Sequence, residues 1–383
     1  MELSAPAPAP AGERSRVAGD ELLAEARGGV AVVTLNRPAA LNALTLDMLE
    51  GLAACLDRWE HDDRVRLVVL RGAGGKAFCA GGDIRELREM FVSGAGDHRH
   101  FFEVEYSLDH RIHTYPKPVV AVMDGITMGG GMGIAQGASL RIAGPRTRLA
   151  MPETLIGFFP DVGATHFLQR APGSLAHYLG LVGPTIGGAD SLYAGLADAC
   201  LSPESIDSLD ALLPRVAAAP NVRAALADLG RRLAIAPAPG ELASLRPAID
   251  LHFGKDGVAA IMASLAAEAR PQFQPWAAKT RALLEQRSPT LLRVAFEQLR
   301  RGRALQLADA FRLELNLIHG CFDQGDFVEG IRALIVDKDN APRWNPRLLS
   351  EVTDASVAAF FAPRWSPAEH PLRHLRPSPG DAS

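Results

Sequence analysis

A chain of 383 residues can bury a large core as one big domain or two smaller ones, and 48% hydrophobic with 22% charged residues is an ordinary globular composition. The formal net charge of −4 argues against general binding to nucleic acid or to an anionic membrane, while leaving room for a local basic patch that meets phosphates. No apolar run approaches the roughly 20 residues of a membrane span, and the four scattered cysteines (Cys55, Cys79, Cys200, Cys321) lack zinc or disulfide spacing, which suits a reducing cytoplasm.

Residues 1–20 begin MELSAPAPAPAGERSR, a Pro/Ala tail expected to be disordered, with neither the apolar core of a signal peptide nor transit-peptide character. Gly29 to Asn36 is β-branched and bounded by Gly and Pro, so it reads as a strand. A helix follows from Leu46 to Trp59, with apolar residues at helical spacing and Thr45 as its N-cap. Arg66 to Arg71 is the next strand; the turn Lys76-Ala77-Phe78-Cys79-Ala80-Gly81-Gly82-Asp83 then leads into a helix from Ile84 to Phe91. The pattern recurs with a strand over 119–123, the turn Gly129-Gly130-Gly131 and a helix from about Met132 to Ala138. Short strands over 140–143 and 149–151 complete it, and strand pairs followed by helices indicate an α/β fold of stacked ββα units.

Residues 21–204 therefore form the expected core, and residues 205–362 a helical C-terminal region. The stretch 205–245 is Ala- and Leu-rich, is cut by Pro220, Pro237 and Pro239, and reads as a helical spacer. Helices follow over 258–270, 276–286, 291–301 and 305–319, with Ser288-Pro289 as a helix start. Residues 363–383 end the chain as an expected untethered tail.

Three glycines after a buried strand allow a tight turn and the close approach of a ligand to the backbone. Unpaired N–H groups at such a turn can donate to a carbonyl oxygen that is becoming an anion. Two acids follow, Glu153 in MPE and Asp161 in FPD. Glu153 precedes an apolar run, so burial should raise its pKa, and it could attack a thioester or activate water. It would equally suit the first turn of a helix, and Asp161 would equally suit a Pro-Asp-x-Gly turn. No GxSxG elbow is present for serine-hydrolase chemistry.

KAFCAGGDI, YPKPVVAVMDG, the triple-glycine turn and MPE, in that order, resemble the crotonase (enoyl-CoA hydratase/isomerase) superfamily. GITMGGGMG, AMPETLIGFFPDVG and GDFVEGIRALIVDKDNAPRWNP narrow the resemblance to its 3-hydroxyisobutyryl-CoA hydrolase branch, from about Gly28 to Asp354. The resemblance implies a ββα superspiral whose helical C-terminal region completes the coenzyme A site. It implies an oxyanion hole from the backbone N–H groups of Ala80 and Gly130, catalytic Glu153 and Asp161, and substrate contact from Glu105, Gly130, Glu153 and Asp161. Lys338 is the candidate for a coenzyme A phosphate.

Typical hydratases have glycine where Asp161 stands and a second glutamate where Gly133 stands. Hydration is run with two acids, so Gly133 counts against it and is expected to open space for a water or a bulkier acyl group. The expected reaction is hydrolysis of 3-hydroxyisobutyryl-CoA or a similar short 3-hydroxyacyl-CoA, in valine catabolism. No metal or further cofactor is implied, coenzyme A being part of the substrate, and homo-oligomers are possible. The alternatives are an enoyl-CoA hydratase/isomerase or a non-catalytic CoA-binding protein.

Overall fold

The computed structural model describes residues 14–95 and 97–377. Among the described residues ten strands run in chain order: β1 (Arg14–Val17), β2 (Leu22–Arg27), β3 (Val30–Leu35), β4 (Leu67–Gly72), β5 (Ala77–Cys79), β6 (Val119–Met123), β7 (Ile126–Met128), β8 (Leu140–Ala143), β9 (Arg148–Ala150) and β10 (Ala199–Cys200). They form a seven-stranded sheet, β1-β2-β3-β4-β6-β8-β10, and a three-stranded sheet, β5-β7-β9. Each ββα turn thus gives its first strand to the large sheet and its second to the small one. From β3 onward, every neighbouring pair in either sheet is parallel.

In the first part of the chain the helices are α1 (Leu46–Glu60), α2 (Ile84–Ser93), α3 (His98–Thr114), α4 (Gly130–Gln136), α5 (Ala164–Phe167), α6 (Leu175–Val182) and α7 (Gly188–Tyr193). The later ones are α8 (Pro203–Asp207), α9 (Leu209–Ala217), α10 (Val222–Leu233), α11 (Leu242–Phe253), α12 (Val258–Ala266), α13 (Gln274–Glu285), α14 (Pro289–Gly302), α15 (Leu307–Gln324), α16 (Asp326–Ile331) and α17 (Asp354–Phe360). The expected caps are present. Thr45 Oγ1 accepts from Met48 N–H at 3.2 Å, and Ser288 Oγ accepts from Leu291 N–H at 3.1 Å, with Pro289 opening α14.

The large sheet is buried on both faces, as parallel strands require. Ala31, Val33, Val68, Leu70 and Ala121 point into the main core, whereas Val30, Val32, Leu67, Val69 and Val120 point to the other side. That second side is covered by Leu209, Leu213 and Val216 of α9 and by Leu226 and Leu229 of α10. The stretch read as a spacer is therefore the outer cover of the sheet.

Both ends of the chain differ from expectation. Residues 14–17, assigned to the N-terminal tail, pair antiparallel with β2, while residues 1–13 lie outside the described residues. Residues 363–377, expected to be untethered, fold back so that Leu372 and Leu375 are buried. Arg312 of α15 donates to the Leu372 and Leu375 carbonyls at 3.2 and 2.6 Å, and the Arg376 carbonyl lies 2.8 Å from His110 Nε2 of α3. Two leucines three residues apart are too short an apolar pattern to stand out in sequence, and their partners lie far back along the chain. Residues 378–383 lie outside the described residues.

Candidate active site

The small sheet builds the site. Its strands are parallel, with β7 between β5 and β9, so three chain segments leave their C-terminal ends side by side at the ordinary interstrand spacing of about 4.8 Å. After β5 comes Ala80-Gly81-Gly82, after β7 comes Gly129-Gly130, and after β9 comes Pro152-Glu153. Gly129 has φ +48° and ψ −124°, which a side chain would strain. The empty space beside it admits Glu153, whose Oε1 stands 3.1 Å from where a Cβ on Gly129 would be.

Two backbone N–H groups meet at the β5 and β7 ends, but they are not the expected pair. Ala80 N–H donates to the Leu41 carbonyl at 3.1 Å. At the parallel bridge between Leu44 and Gly82, the Gly81 carbonyl accepts from Leu44 N–H and Asp83 N–H donates to the Leu44 carbonyl. Parallel pairing of this kind skips the N–H of the bridged residue, and among the described residues no hydrogen bond uses Gly82 N–H. The available donor on this turn is thus Gly82 rather than Ala80. Gly82 N lies 3.3 Å from the Cβ position of Gly130, and Gly130 opens α4. Spacing alone could not tell which N–H the neighbouring segment would consume.

Glu153 begins a short 3₁₀ turn and is 6% exposed, with no hydrogen-bond partner for Oε2. Burial, then the charge of Asp161, holds its carboxyl well above the usual carboxylate range. Asp161 is equally buried, and its Oδ2 accepts from the Tyr106 hydroxyl at 2.8 Å. Burial pushes its pKa up to about 7, against the lowering effect of the Tyr106 hydrogen bond.

The Asp161 loop is held from the helical region. Val162 has φ +53°, a strained conformation for a β-branched residue, and Gly163 has φ +87°. Glu314 of α15, fully buried, accepts from Gly163 N–H at 2.7 Å and from Thr165 N–H at 2.9 Å. Gln298 of α14 donates to the Pro160 carbonyl at 2.6 Å and to Thr165 Oγ1 at 2.7 Å. Strain persists only where surroundings over-determine it, and here two helices do so.

Glu105 of α3 is 2% exposed, and a Cβ on Gly130 would collide with its Oε1. One turn further along α3, Asp109 is fully buried. The space expected beside Gly133 is not open, because a Cβ there would lie 2.5 Å from Asp109 Oδ2 and 2.7 Å from Val162 Cβ. A carboxyl group from another helix fills the volume that a side chain at 133 would take. Tyr106, Asp109 and Glu314 were not picked out from the sequence. The available signal was Glu105 and Asp109 at i, i+4 among Phe101, Phe102, Leu108 and Ile112, acids on an apolar helical face.

Lys338 is not brought to these carboxyl groups; it is exposed, at φ +57°, on the loop after α16. Arg332 is engaged by Glu329, Asp337 and Asp339. A cavity of about 670 Å³ opens beside the Glu153 turn, with Leu155, Gln286, Leu334, Arg343, Trp344 and Arg347 in its wall. Cys79 is buried with its thiol pushed up to about 12 by burial, which suits packing rather than attack. Among the described residues, no group of three or more His, Cys, Asp and Glu is arranged to hold a metal ion, and no helix is long and apolar enough to cross a membrane.

The family model for enoyl-CoA hydratase/isomerase matches residues 30–361. A 3-hydroxyisobutyryl-CoA hydrolase, mitochondrial, from Xenopus tropicalis is 41% identical, over 90% of this chain and 89% of its own. A probable 3-hydroxyisobutyryl-CoA hydrolase 2 from Arabidopsis thaliana is 35% identical, over 94% of this chain and 97% of its own. Among solved structures, a carnitinyl-CoA dehydratase from Mycobacterium thermoresistibile is 40% identical with a TM-score of 0.82, over 90% of this chain and 97% of its own. An enoyl-CoA hydratase from Rhodobacter sphaeroides 2.4.1 is 38% identical with a TM-score of 0.81, over 90% of this chain and 98% of its own. The frog relative, like those from zebrafish and chicken, is named mitochondrial, which overturns the expectation of a cytoplasmic protein. Four buried free cysteines suit any reducing compartment and could not separate the two.

Proposed function

This chain belongs to the enoyl-CoA hydratase/isomerase family, and on that premise we propose how its site works as a 3-hydroxyisobutyryl-CoA hydrolase. The reaction is thioester hydrolysis: 3-hydroxyisobutyryl-CoA and water give the 3-hydroxy acid and free coenzyme A. The observation that carries the mechanism is the convergence of the Gly82 and Gly130 N–H groups with Glu153 on three adjacent strand ends. The thioester oxygen sits between the two donors, which meet the negative charge as it develops; one such donor is typically worth about 10²–10³ in rate. Glu153, once it has lost the proton that burial favours, either attacks the carbonyl carbon or takes a proton from the attacking water. In the first route the C–S bond breaks, the sulfur leaves as thiolate and is protonated, and water then cleaves the mixed anhydride to regenerate Glu153. In the second, the water oxygen adds directly and the same thiolate leaves. Asp161 accepts a hydrogen bond from the substrate 3-hydroxyl and so orients the acyl group.

Coenzyme A enters as part of the substrate, and no further cofactor has a step in this scheme. The wall carrying Arg343 and Arg347 suits its phosphates, and exposed Lys338 on the same loop can add to it. The product 3-hydroxy acid fits a place in valine degradation. The second reading, hydration or dehydration, is favoured by the names of the two solved structures. A free-thiol assay on 3-hydroxyisobutyryl-CoA, run beside crotonyl-CoA, separates them. Thiol release from the first without 3-hydroxy product from the second is expected. Efficient conversion of crotonyl-CoA to its 3-hydroxy form, without thiol release, would replace this function with the second reading.

A further inference from the structure

The turn that carries Gly82 is gripped by a strained segment lying between β3 and α1. Leu41 and Asn42 have φ +52° and +59°, in the left-handed region that a leucine rarely enters. Such strain persists only where the surroundings over-determine it, and here the fastening is the Asn42 side chain, which is 0% exposed. Its Oδ1 accepts from Arg37 N–H at 2.9 Å. Its Nδ2 donates to the Ala73 carbonyl at 3.0 Å and to the Ala77 carbonyl at 2.9 Å, so both amide hydrogens are used. Ala73 lies just past the end of β4 and Ala77 opens β5, so Asn42 fastens the segment to both sheets at once. Gly72 leaves the room for this, since a Cβ there would lie 2.8 Å from Asn42 Nδ2.

The fastened segment holds the turn on both sides of Gly82. The Leu41 carbonyl accepts from Ala80 N–H at 3.1 Å, Leu44 N–H donates to the Gly81 carbonyl at 2.8 Å, and Asp83 N–H donates to the Leu44 carbonyl at 2.9 Å. Arg37 adds a second tie, from Nη1 to the Ala43 carbonyl at 2.7 Å and from Nη2 to Asp83 Oδ2 at 3.1 Å. Ala80, Gly81 and Asp83 are therefore all held from residues 37–44, which fixes the direction in which Gly82 N–H points. A donor accelerates the reaction only when it is aimed at the place where charge develops, and a misplacement of about 1 Å can cost about 10² in rate.

Given the reading of the Gly82 and Gly130 N–H groups as the oxyanion donors, we propose that Asn42 is a positioning residue for that pair. By pinning Leu41–Leu44 to the two ends of the β4–β5 connection, it commits Ala80 N–H to Leu41 and aims Gly82 N–H at the thioester oxygen. Asn42 itself touches no reacting atom. Its loss therefore acts through the donor, which works on the charge of the transition state more than on the bound ester, and shows in kcat rather than in KM.

The test is Asn42→Gly, which deletes the side-chain bonds while a left-handed backbone stays accessible. In the free-thiol assay kcat for 3-hydroxyisobutyryl-CoA should fall by about 10²-fold, approaching the worth of one donor, with KM nearly unchanged. In Glu153→Gln, where the bound ester persists, isotope-edited infrared spectroscopy of its thioester carbonyl reads the donors directly. That band should lie below its position for the ester in water, and adding Asn42→Gly should return it about halfway, one donor of two being lost. Asn316→Ala is the control for lost stability. It removes a matching set of bonds in α15, from Nδ2 to the Phe360 and Ala362 carbonyls at 2.8 and 3.0 Å and from Arg364 N–H to Oδ1 at 3.0 Å, and should leave band and kcat in place. A band unmoved by Asn42→Gly overturns the proposal, as does an equal shift from Asn316→Ala. Cys79–Ala80 is the single Cys–Ala step in the sequence, so carbonyl-labelled cysteine with nitrogen-labelled alanine marks the Ala80 amide alone in an NMR spectrum. That amide should be protected from hydrogen exchange in the wild type and exchange faster in Asn42→Gly. If Asn42→Gly does not fold, the wild-type amide still decides: free exchange at Ala80 overturns the proposal, and protection upholds the Leu41 bond it requires. An unshifted carbonyl band in Glu153→Gln would overturn the donor reading and the proposal with it. A wild type that releases no thiol while the band behaves as expected would fault the hydrolase reading and leave the role of Asn42 standing.

Discussion

The Tyr106 hydroxyl donates to Asp161 Oδ2 at 2.8 Å, tying α3 to a loop residue 55 positions later in the chain. The bond stabilises the ionised form of Asp161, against a burial cost that already pushes its pKa up to about 7. Tyr106→Phe removes the donor and keeps the ring, so the Asp161 pKa should rise further. We expect kcat/KM for 3-hydroxyisobutyryl-CoA to fall by about tenfold at neutral pH, the ordinary value of one hydrogen bond to a charged group. The acid limb of the profile should shift to higher pH. An acid limb unmoved by Tyr106→Phe would show that Asp161 ionisation does not govern the rate.

Asp161→Ala tests recognition of the substrate hydroxyl. A site built to bond a hydroxyl discriminates strongly against a substrate lacking it. The ratio of kcat/KM for 3-hydroxyisobutyryl-CoA over isobutyryl-CoA should therefore collapse toward one in the variant. Equal proportional losses on both substrates would assign Asp161 to proton transfer or to the loop.

Glu153→Gln keeps the side-chain shape and removes the nucleophile or base. Thiol release should fall by at least ~10³, while binding of the acyl-CoA, followed by calorimetry, persists. Near-normal turnover would remove Glu153 from the mechanism.

Gly133→Ala places a methyl group 2.5 Å from Asp109 Oδ2 and 2.7 Å from Val162 Cβ. The Asp109 carboxyl can rotate, but Val162 sits at φ +53° beside Asp161 and has little room to give. A loss of about 1–3 kcal/mol in unfolding free energy is expected, as for overpacking in general, together with reduced activity. Gly187→Ala is the matched control, because its φ is −90° and nothing lies within 4 Å of a Cβ there. Equal denaturation midpoints for the two variants would mean that the α3–α4 contact is looser than described.

Asp161 and Glu314 should each make stability fall as pH rises between about 4 and 8. Asp161 and Glu314 keep their protons in the folded state up to about 7 and about 8, against 3.8 and 4.5 as ordinary values. Between those limits the folded protein holds more protons than the unfolded chain, so each pH increase favours unfolding. The stabilisation is complete below about 4 and is lost as pH passes the folded values. Urea midpoints in Asp161→Asn and Glu314→Gln should depend less on pH over this window than those of the wild type. An unchanged slope in both would mean that other groups set the pH dependence.

Much of this was legible in the sequence because it depends on short stretches. Short continuous apolar runs made β3, β4 and β6 readable, and Thr45 and Ser288 announced the helices they cap. Gly129-Gly130-Gly131, Glu153 and Asp161 stood out because turn chemistry and strand endings are local. Gly133, where a side chain was missing, was also noticed from sequence, but what fills the gap was not. Asp109 reaches it only because α3 packs on α4, and Gly82 replaces Ala80 as donor only because Leu41 takes the Ala80 N–H and Leu44 docks beside that turn. The grip of Glu314 on Gly163 spans 151 residues, and no local pattern announces it. Backbone propensity and periodicity act over a few neighbours, and they placed the strands and turns. Which N–H stays free, which acid shares a buried pocket and how a strained loop is held are set by packing between distant segments, and only the tertiary structure decided them.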